Sequence, residues 1–403
     1  GTERAQQNGA TFDADTGIAM NSIWRKGALA LTQGELDPLV SDYVTDDSQL
    51  LYRRDINERL HTMAPFLKFG SDPYPVVADG RITWVIDCYT TSDTYPNSQF
   101  ANTAGLAPDS DLTQGRFNYL RASVKATVDA YDGTVTLYRT ERQGGDDPIL
   151  DAWSRVYPGA FTPISEMPAG IRAHLRYPVD MLKVQTNMLG RYHVTDPDLF
   201  LDGSRNWVVS GDPGSDIEGS DPAPGGIPPV AQVLDTSTGE GPRWVGVRPF
   251  NLGSAANANS PRAALSAFAL ADNDDAEKLE LWTVPSPDGS DGQTQIGGPS
   301  VVQAAINGDT ELSQQFTLLS AGGSTVRFGA MTLVPNGKDV LYVRPVYVTA
   351  NGPDATQQLV EVLAYADGLV GRGSTLEEAL NNLRQPVATA PETVAADAGT
   401  PDG

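Results

Sequence analysis

Cysteine is almost missing from this chain. Cys88 stands alone among 403 residues, which excludes a disulfide within one chain, and its place in an apolar run reads as a small buried thiol. Basic residues are scarce as well: 28 lysines and arginines face 51 aspartates and glutamates, for a formal charge of -23. A surface of that sign repels nucleic acid at long range, so neither DNA nor RNA is an expected partner. No apolar run reaches the roughly eighteen residues needed to cross a bilayer, and no charged-then-apolar leader stands at Gly1. The three histidines, His61, His174 and His193, lack the HExxH or HxH spacing that aims two ring nitrogens at one metal, which argues against a zinc site. There is no G-x-S-x-G elbow, no P-loop and no dinucleotide fingerprint. Acidic runs at Asp272–Asp275 and Asp212–Asp221 have the composition of calcium loops. They lack the alternating oxygens, central glycine and terminal glutamate, so solvated loops are the simpler reading and calcium is the one cofactor left open.

What the chain does contain is organised around Asp72–Phe100. Two prolines and an Asp79-Gly80 turn exclude a helix there and reverse the chain. A strand is predicted next, with Ile82, Trp84, Ile86 and Cys88 on one face and Thr83, Val85, Asp87 and Tyr89 on the other. Both faces are largely apolar, so the strand should be central and Trp84 buried. Asp87 is its unusual residue: a carboxylate on a buried strand needs a partner, and a neighbouring arginine or a turn is the plainest one.

Elsewhere the periodicities predict an α+β fold, with antiparallel sheets and packed helices in a mixed N-terminal half and a mainly β C-terminal half. Helices are expected over Ile18–Gln33, with Trp24 and Leu31 in the apolar set, and over Arg54–Met63. Arg53, Arg54 and Arg59 form a local positive surplus, expected to be met by Asp46, Asp47, Asp55 or Glu58. Val124 to Ala130 and Val135 to Leu137 flank Asp132-Gly133 as a hairpin. Pro168 and Pro178 open two helices. The first would carry Arg172 and Arg176 four apart on one face, a candidate anion site because like charges so placed repel unless something anionic lies beside them.

Residues 1–209 form the first half, 210–229 a Gly/Pro/Asp linker or long loop, 230–384 the second half and 385–403 a disordered tail. In the second half strands are expected at 231–234, 244–248, 265–270, 279–284, 324–334, 340–348 and 358–365, with helices at 300–307 and after Thr310. Ser374-Thr375-Leu376-Glu377 reads as a capping box for a last helix striped by Leu376, Leu380 and Leu383.

The phrases DGRITWVIDCYTTSDTYP, FNYLRASVKATVDAYDGTVTLY and LRYPVDMLKVQTNMLGRYHVTDPDLF, with INGDTELSQQFTLLSAGGSTVRFGAMTLVP, LYVRPVYV and STLEEALNNL after them, resemble the uncharacterised bacterial protein family numbered 0182. The similarity runs from about Ser22 to Leu383. It implies a large extracytoplasmic region that in such proteins follows several membrane-spanning helices, and hence a location at the cell membrane with this region outside the cytoplasm. The segments Gly211–Pro229 and Pro285–Gly298 depart from the family pattern in being richer in Gly and Pro. No activity is established for that family, so the resemblance carries over no site residue.

Three functions fit these observations. A module that binds an envelope lipid, glycan or protein on behalf of a membrane-embedded part leads, and predicts an apolar groove or exposed aromatic patch. A scaffold domain assembling a homo-oligomer within a membrane complex comes second. An envelope hydrolase using Asp87 and Asp93 as paired carboxylates comes third, and the missing catalytic motifs lean against an enzyme.

Overall fold

The computed structural model describes residues 16–34, 39, 44–140, 147–211, 213, 230–236, 241–254, 257–274, 278–284, 296–321, 324–336, 339–350 and 356–384. The expected linker over 210–229 lies almost wholly outside them, and the expected tail lies outside them entirely. The fold is α+β. It divides into two compact units: of the described residues, those within Gly1–Met188 and Asp272–Lys278 form one, and those within Leu189–Ala271 and Leu279–Gly403 the other.

The first unit begins with a two-residue pairing of β1 (Ile18–Ala19) to β2 (Gln49–Leu50) around helix α1 (Ile23–Gln33). The helix starts five residues later than the sequence predicts because the Ser22 hydroxyl caps it by accepting from the Trp24 N–H. Trp24 and Leu31, read as part of a buried face, are 84% and 86% exposed. Helix α2 (Ile56–Met63) follows, capped by Asp55.

The sheet of this unit comprises β3 (Lys68–Phe69), β4 (Tyr74–Ala78), β5 (Arg81–Ser92), β6 (Tyr119–Asp129), β7 (Val135–Arg139) and β8 (Phe161–Pro163). β3 and β4 lie along one side of β5, and the order continues β5-β6-β7-β8 with only the last pair parallel. The Asp132-Gly133 turn joins β6 to β7 as expected, with Gly133 at φ 74. β5 is central and covered on both faces. Ile86 and Cys88 pack with Val124, Ala126 and Leu137 beneath Leu60 of α2 and Leu150 of α3 (Pro148–Val156). On the reverse face Val85 packs with Tyr74, Met167 and Ile171, and Tyr89 with Leu112, Met181 and Val184, drawing in the short α4 (Ala169–Arg172) and α5 (Val179–Tyr192).

The second unit holds α6 (Pro197–Asp202), then β9 (Trp207–Val209), β10 (Ala231–Asp235), β11 (Arg243–Ser254), β12 (Asn257–Asp272) and β13 (Leu279–Thr283) in one antiparallel sheet. Helices α7 (Pro299–Gly308) and α8 (Thr310–Ala321) precede β14 (Ser324–Phe328), β15 (Thr332–Asn336), β16 (Asp339–Ala350), β17 (Gln357–Ala366) and β18 (Leu369–Gly373) in a second, with α9 (Leu376–Arg384) last. Val245, Leu265 and Phe268 from one sheet share a core with Val302, Ile306 and Leu312 of the helices and Leu333, Tyr342 and Leu363 of the other.

The expected single strand over 324–334 is two. Pro345 in β16 has no N–H to give, so pairing stops after Phe328↔Val346 and resumes at Thr332↔Val343. Gly329 fills the gap, its N–H donating to the Pro345 carbonyl at 2.8 Å. The capping box at the last helix sits one residue later than read: Thr375 accepts from the Glu378 N–H, and Glu378 takes the Ser374 N–H at 2.8 Å. Its stripe shifts in step, with Ala379 buried beside Leu380 and Leu383 while Leu376 is exposed.

Candidate functional site

A cleft of the first unit is built where the start of α2 meets the end of the β6–β7 hairpin. It encloses about 420 Å³ and is lined by Leu51, Arg54, Ile56 and Arg59 on one side, Trp84 and Val128 on the sheet, and Asp129 to Gly133 along the turn. Trp84, expected to be buried, is only partly so: it packs against the core of this unit and also lines the cleft.

Of the three arginines here, Arg53 alone shows the expected pairing with a local acid among the described residues. Arg53 meets Glu58 at 3.4 Å, but Asp46 pairs with Lys26 and Asp55 accepts from the Glu58 N–H as the helix cap. Arg59 is held by three carbonyls, donating to Gly133 at 2.7 Å, Arg53 at 3.0 Å and Tyr52 at 3.3 Å. Arg54 is exposed, with no partner among the described residues. The two carboxylates in the cleft are already committed. Arg81 donates to Asp129 at 2.8 Å and to Asp132 at 2.9 Å, while Asp129 also accepts from the Tyr131 and Asp132 N–H groups and Asp132 from that of Thr134. Arg81 chiefly holds the Asp129 carboxyl below the usual range, and the Thr134 hydrogen bonds do the same for Asp132.

Asp87 lies elsewhere, on the opposite face of the sheet from Ile86 and Cys88. Its partner is a lysine rather than an arginine: Lys125, directly across on β6, donates to Asp87 and, at 2.8 Å, to the Arg176 carbonyl. Burial pushes the Asp87 carboxyl up, and the Lys125 ammonium opposes that push. Asp93 is exposed just past the end of β5, in a smaller polar cleft of about 180 Å³ with Lys68, Asp111 and Arg116. Six residue steps of strand-like chain separate the two aspartates, roughly 20 Å at about 3.3 Å per residue. Paired carboxylates in glycoside hydrolysis stand about 5–9.5 Å apart, so the structure does not bring this pair together for that chemistry.

In that smaller cleft Asp111 is locked by the Phe69 N–H at 3.0 Å and by His61 Nε2 at 2.9 Å. His61 Nδ1 lies 2.7 Å from the Asn57 carbonyl. When the ring is protonated both nitrogens donate, one to the Asn57 carbonyl and one to the Asp111 carboxylate. Burial pulls the imidazolium down, but Asn57 and Asp111 outweigh it and the group ends above its ordinary value.

Arg172 and Arg176 do not share a helical face. α4 ends at Arg172, four residues before Arg176. The Arg176 guanidinium stacks 4.5 Å from the centre of the Tyr74 ring and the Arg176 backbone N–H donates to the Tyr74 hydroxyl, whereas Arg172 reaches back toward the Ser165 carbonyl at 3.4 Å. Among the described residues no three His, Cys, Asp or Glu side chains converge as metal ligands.

Sequence reading missed the Trp84 cleft as a site. Its signal was there in the arginine surplus beside α2 and the tryptophan on β5, but only the fold joins them to a turn some 75 residues away.

The model of an uncharacterised protein family, UPF0182, matches residues 2–319. This chain belongs to UPF0182. A UPF0182 protein of Clavibacter michiganensis subsp. michiganensis is 36% identical over 427 residues, taking in 100% of this chain and 42% of its own length. Another UPF0182 protein, from Arthrobacter sp. strain FB24, is 37% identical over 391 residues, covering 93% of this chain and 37% of its own. The chain thus spans about two fifths of the length of the curated relatives it matches. No solved structure matches it. No described helix of this UPF0182 chain is long and apolar enough to cross a membrane.

Proposed function

We propose that this UPF0182 region lies outside the cytoplasm and binds a glycan of the cell envelope in the Trp84 cleft, with membrane attachment supplied by the part of its relatives that this chain does not span. The observation that carries the reading is the cleft's make-up: an indole that shares an otherwise aliphatic lining with two arginines, two aspartates and a tyrosine. An aromatic face takes the apolar side of a flat ring, while a few fixed polar groups orient it. Guanidiniums and carboxylates held in place by the hairpin match the equatorial hydroxyls of a sugar better than a lipid tail.

Retention on immobilised bacterial wall polysaccharide tests this. The chain should be retained, and Trp84→Leu, which keeps the apolar packing, should elute with the void while its circular dichroism is unchanged. Passage of the parent protein straight through, or equal retention of the variant, would sink the proposal.

A second reading, assembly into an oligomer, is favoured by one observation. The exposed Ile23, Trp24 and Leu31 of α1 form an apolar strip on an otherwise acidic chain. Light scattering at high concentration should then give a multiple of 42.9 kDa.

A further inference from the structure

Resting on that reading, we infer that the sugar taken by the Trp84 cleft is acidic: a ring bearing a carboxylate or phosphate group that lies against Arg54 and Arg59.

The argument is one of charge left over. The chain carries almost two acidic residues for each basic one, yet some of its arginines have no carboxylate partner among the described residues. Two such arginines line this one cleft. Arg54 has no partner among the described residues, and Arg59 is fixed by carbonyl oxygens alone, which hold its plane without cancelling its charge. The carbonyls take one N–H from each of its nitrogens, so two N–H groups of the guanidinium remain for a ligand. Meanwhile both cleft carboxylates are held in place by Arg81, which offsets one of their two charges, and by backbone N–H groups. With Arg81 counted beside them, three guanidiniums stand against two carboxylates, and N–H groups of both Arg54 and Arg59 are uncommitted among the described residues.

Preorganisation points the same way. The Gly133 turn lets the Arg59 guanidinium lie where a side chain would start: a Cβ at residue 133 would fall 2.7 Å from its Cζ. A planar donor held in this manner binds an oxyanion with little further loss of freedom. The indole at the floor then distinguishes an anion attached to a ring from a free ion.

The test is a titration of the full chain with glucuronic acid, glucose 6-phosphate, glucose and inorganic phosphate. It is followed by the Trp84 indole N–H resonance, assigned by its loss in Trp84→Phe. One or both acid sugars should bind at least about tenfold more tightly than glucose, the worth of a charge-assisted contact, and should weaken as salt is raised. Which of the two wins identifies the oxyanion. Arg54→Gln, at a side chain the fold does not use, should bring them down to the affinity of glucose. Equal binding of glucose and the acid sugars overturns this inference while leaving the glycan reading intact. Inorganic phosphate binding as well as glucose 6-phosphate overturns it by showing that the ring is not read. No response to any sugar overturns both.

Discussion

Lys125 and Asp87 form a buried ion pair across the centre of the first unit's sheet, 3% and 7% exposed, with the lysine also donating to the Arg176 carbonyl. The pair joins two neighbouring strands to the segment that follows α4. Lys125→Met should destabilise the unit by about 3–5 kcal/mol, because Asp87 is left charged without a partner in a place that solvates charge poorly. The double variant Lys125→Met, Asp87→Leu should recover much of that loss. Urea midpoints for the two single variants and the double would measure the coupling, and additive effects would contradict it.

A pH dependence follows from His61. Its imidazolium is favoured in the folded state by Asn57 and Asp111, so its folded pKa lies above the ordinary 6.5. A raised value means that the contribution to stability is complete below pH 6.5 and disappears as pH rises through the folded value. His61 is half exposed and screened, so the effect should be no more than about 1 kcal/mol. Melting temperatures should fall between about pH 6 and pH 8.5 in the parent protein and fall less in His61→Gln; parallel profiles would rule His61 out.

At the hairpin tip, Gly133→Ala carries two costs. With φ at 74 the backbone is in the left-handed region, which disfavours a Cβ by about 1–2 kcal/mol. The new methyl also occupies the space of the Arg59 guanidinium, which must swing out and give up the Gly133 carbonyl. Stability should therefore fall by at least about 1–2 kcal/mol and retention on wall polysaccharide should fall with it. Unchanged retention would separate Arg59 from the binding surface.

How much of this was legible beforehand depends on whether the cause is local. The Asp132-Gly133 turn was plain because its backbone requirement is written in two adjacent residues, and the two-faced character of β5 because alternation is a property of one strand. The partner of Asp87 was not, since Lys125 is 38 residues away and only strand register places them opposite. The same limit hid the cleft: Arg54, Trp84 and Asp132 each look ordinary until α2, β5 and the hairpin are brought together. Local reading failed outright where a competing local signal was weak. Arg172 and Arg176 have helical spacing, but the backbone leaves the helix between them ahead of Pro178. Trp24 and Leu31 look like a buried stripe, yet nothing among the described residues covers them.

In the second unit, Gly371 marks the tightest approach of a helix to a strand. A Cβ there would stand 2.7 Å from both the backbone nitrogen and Cβ of Leu383, and closer still to the Ala379 carbonyl. These are helix backbone atoms and a packed side chain rather than a loose chain end, so Gly371→Ala can be accommodated only by moving α9 off the sheet. Overpacking of this kind costs about 1–3 kcal/mol, and it should be felt first in the small cluster of Val362, Ala364 and Ala379 that α9 completes. Hydrogen exchange should therefore quicken over Leu376–Arg384 and along β18 well before the main core of that unit opens, because local unfolding follows the weakest packed element. Exchange that quickened equally throughout the unit would instead mean that α9 is part of its cooperative core, and that the glycine is needed for the fold as a whole.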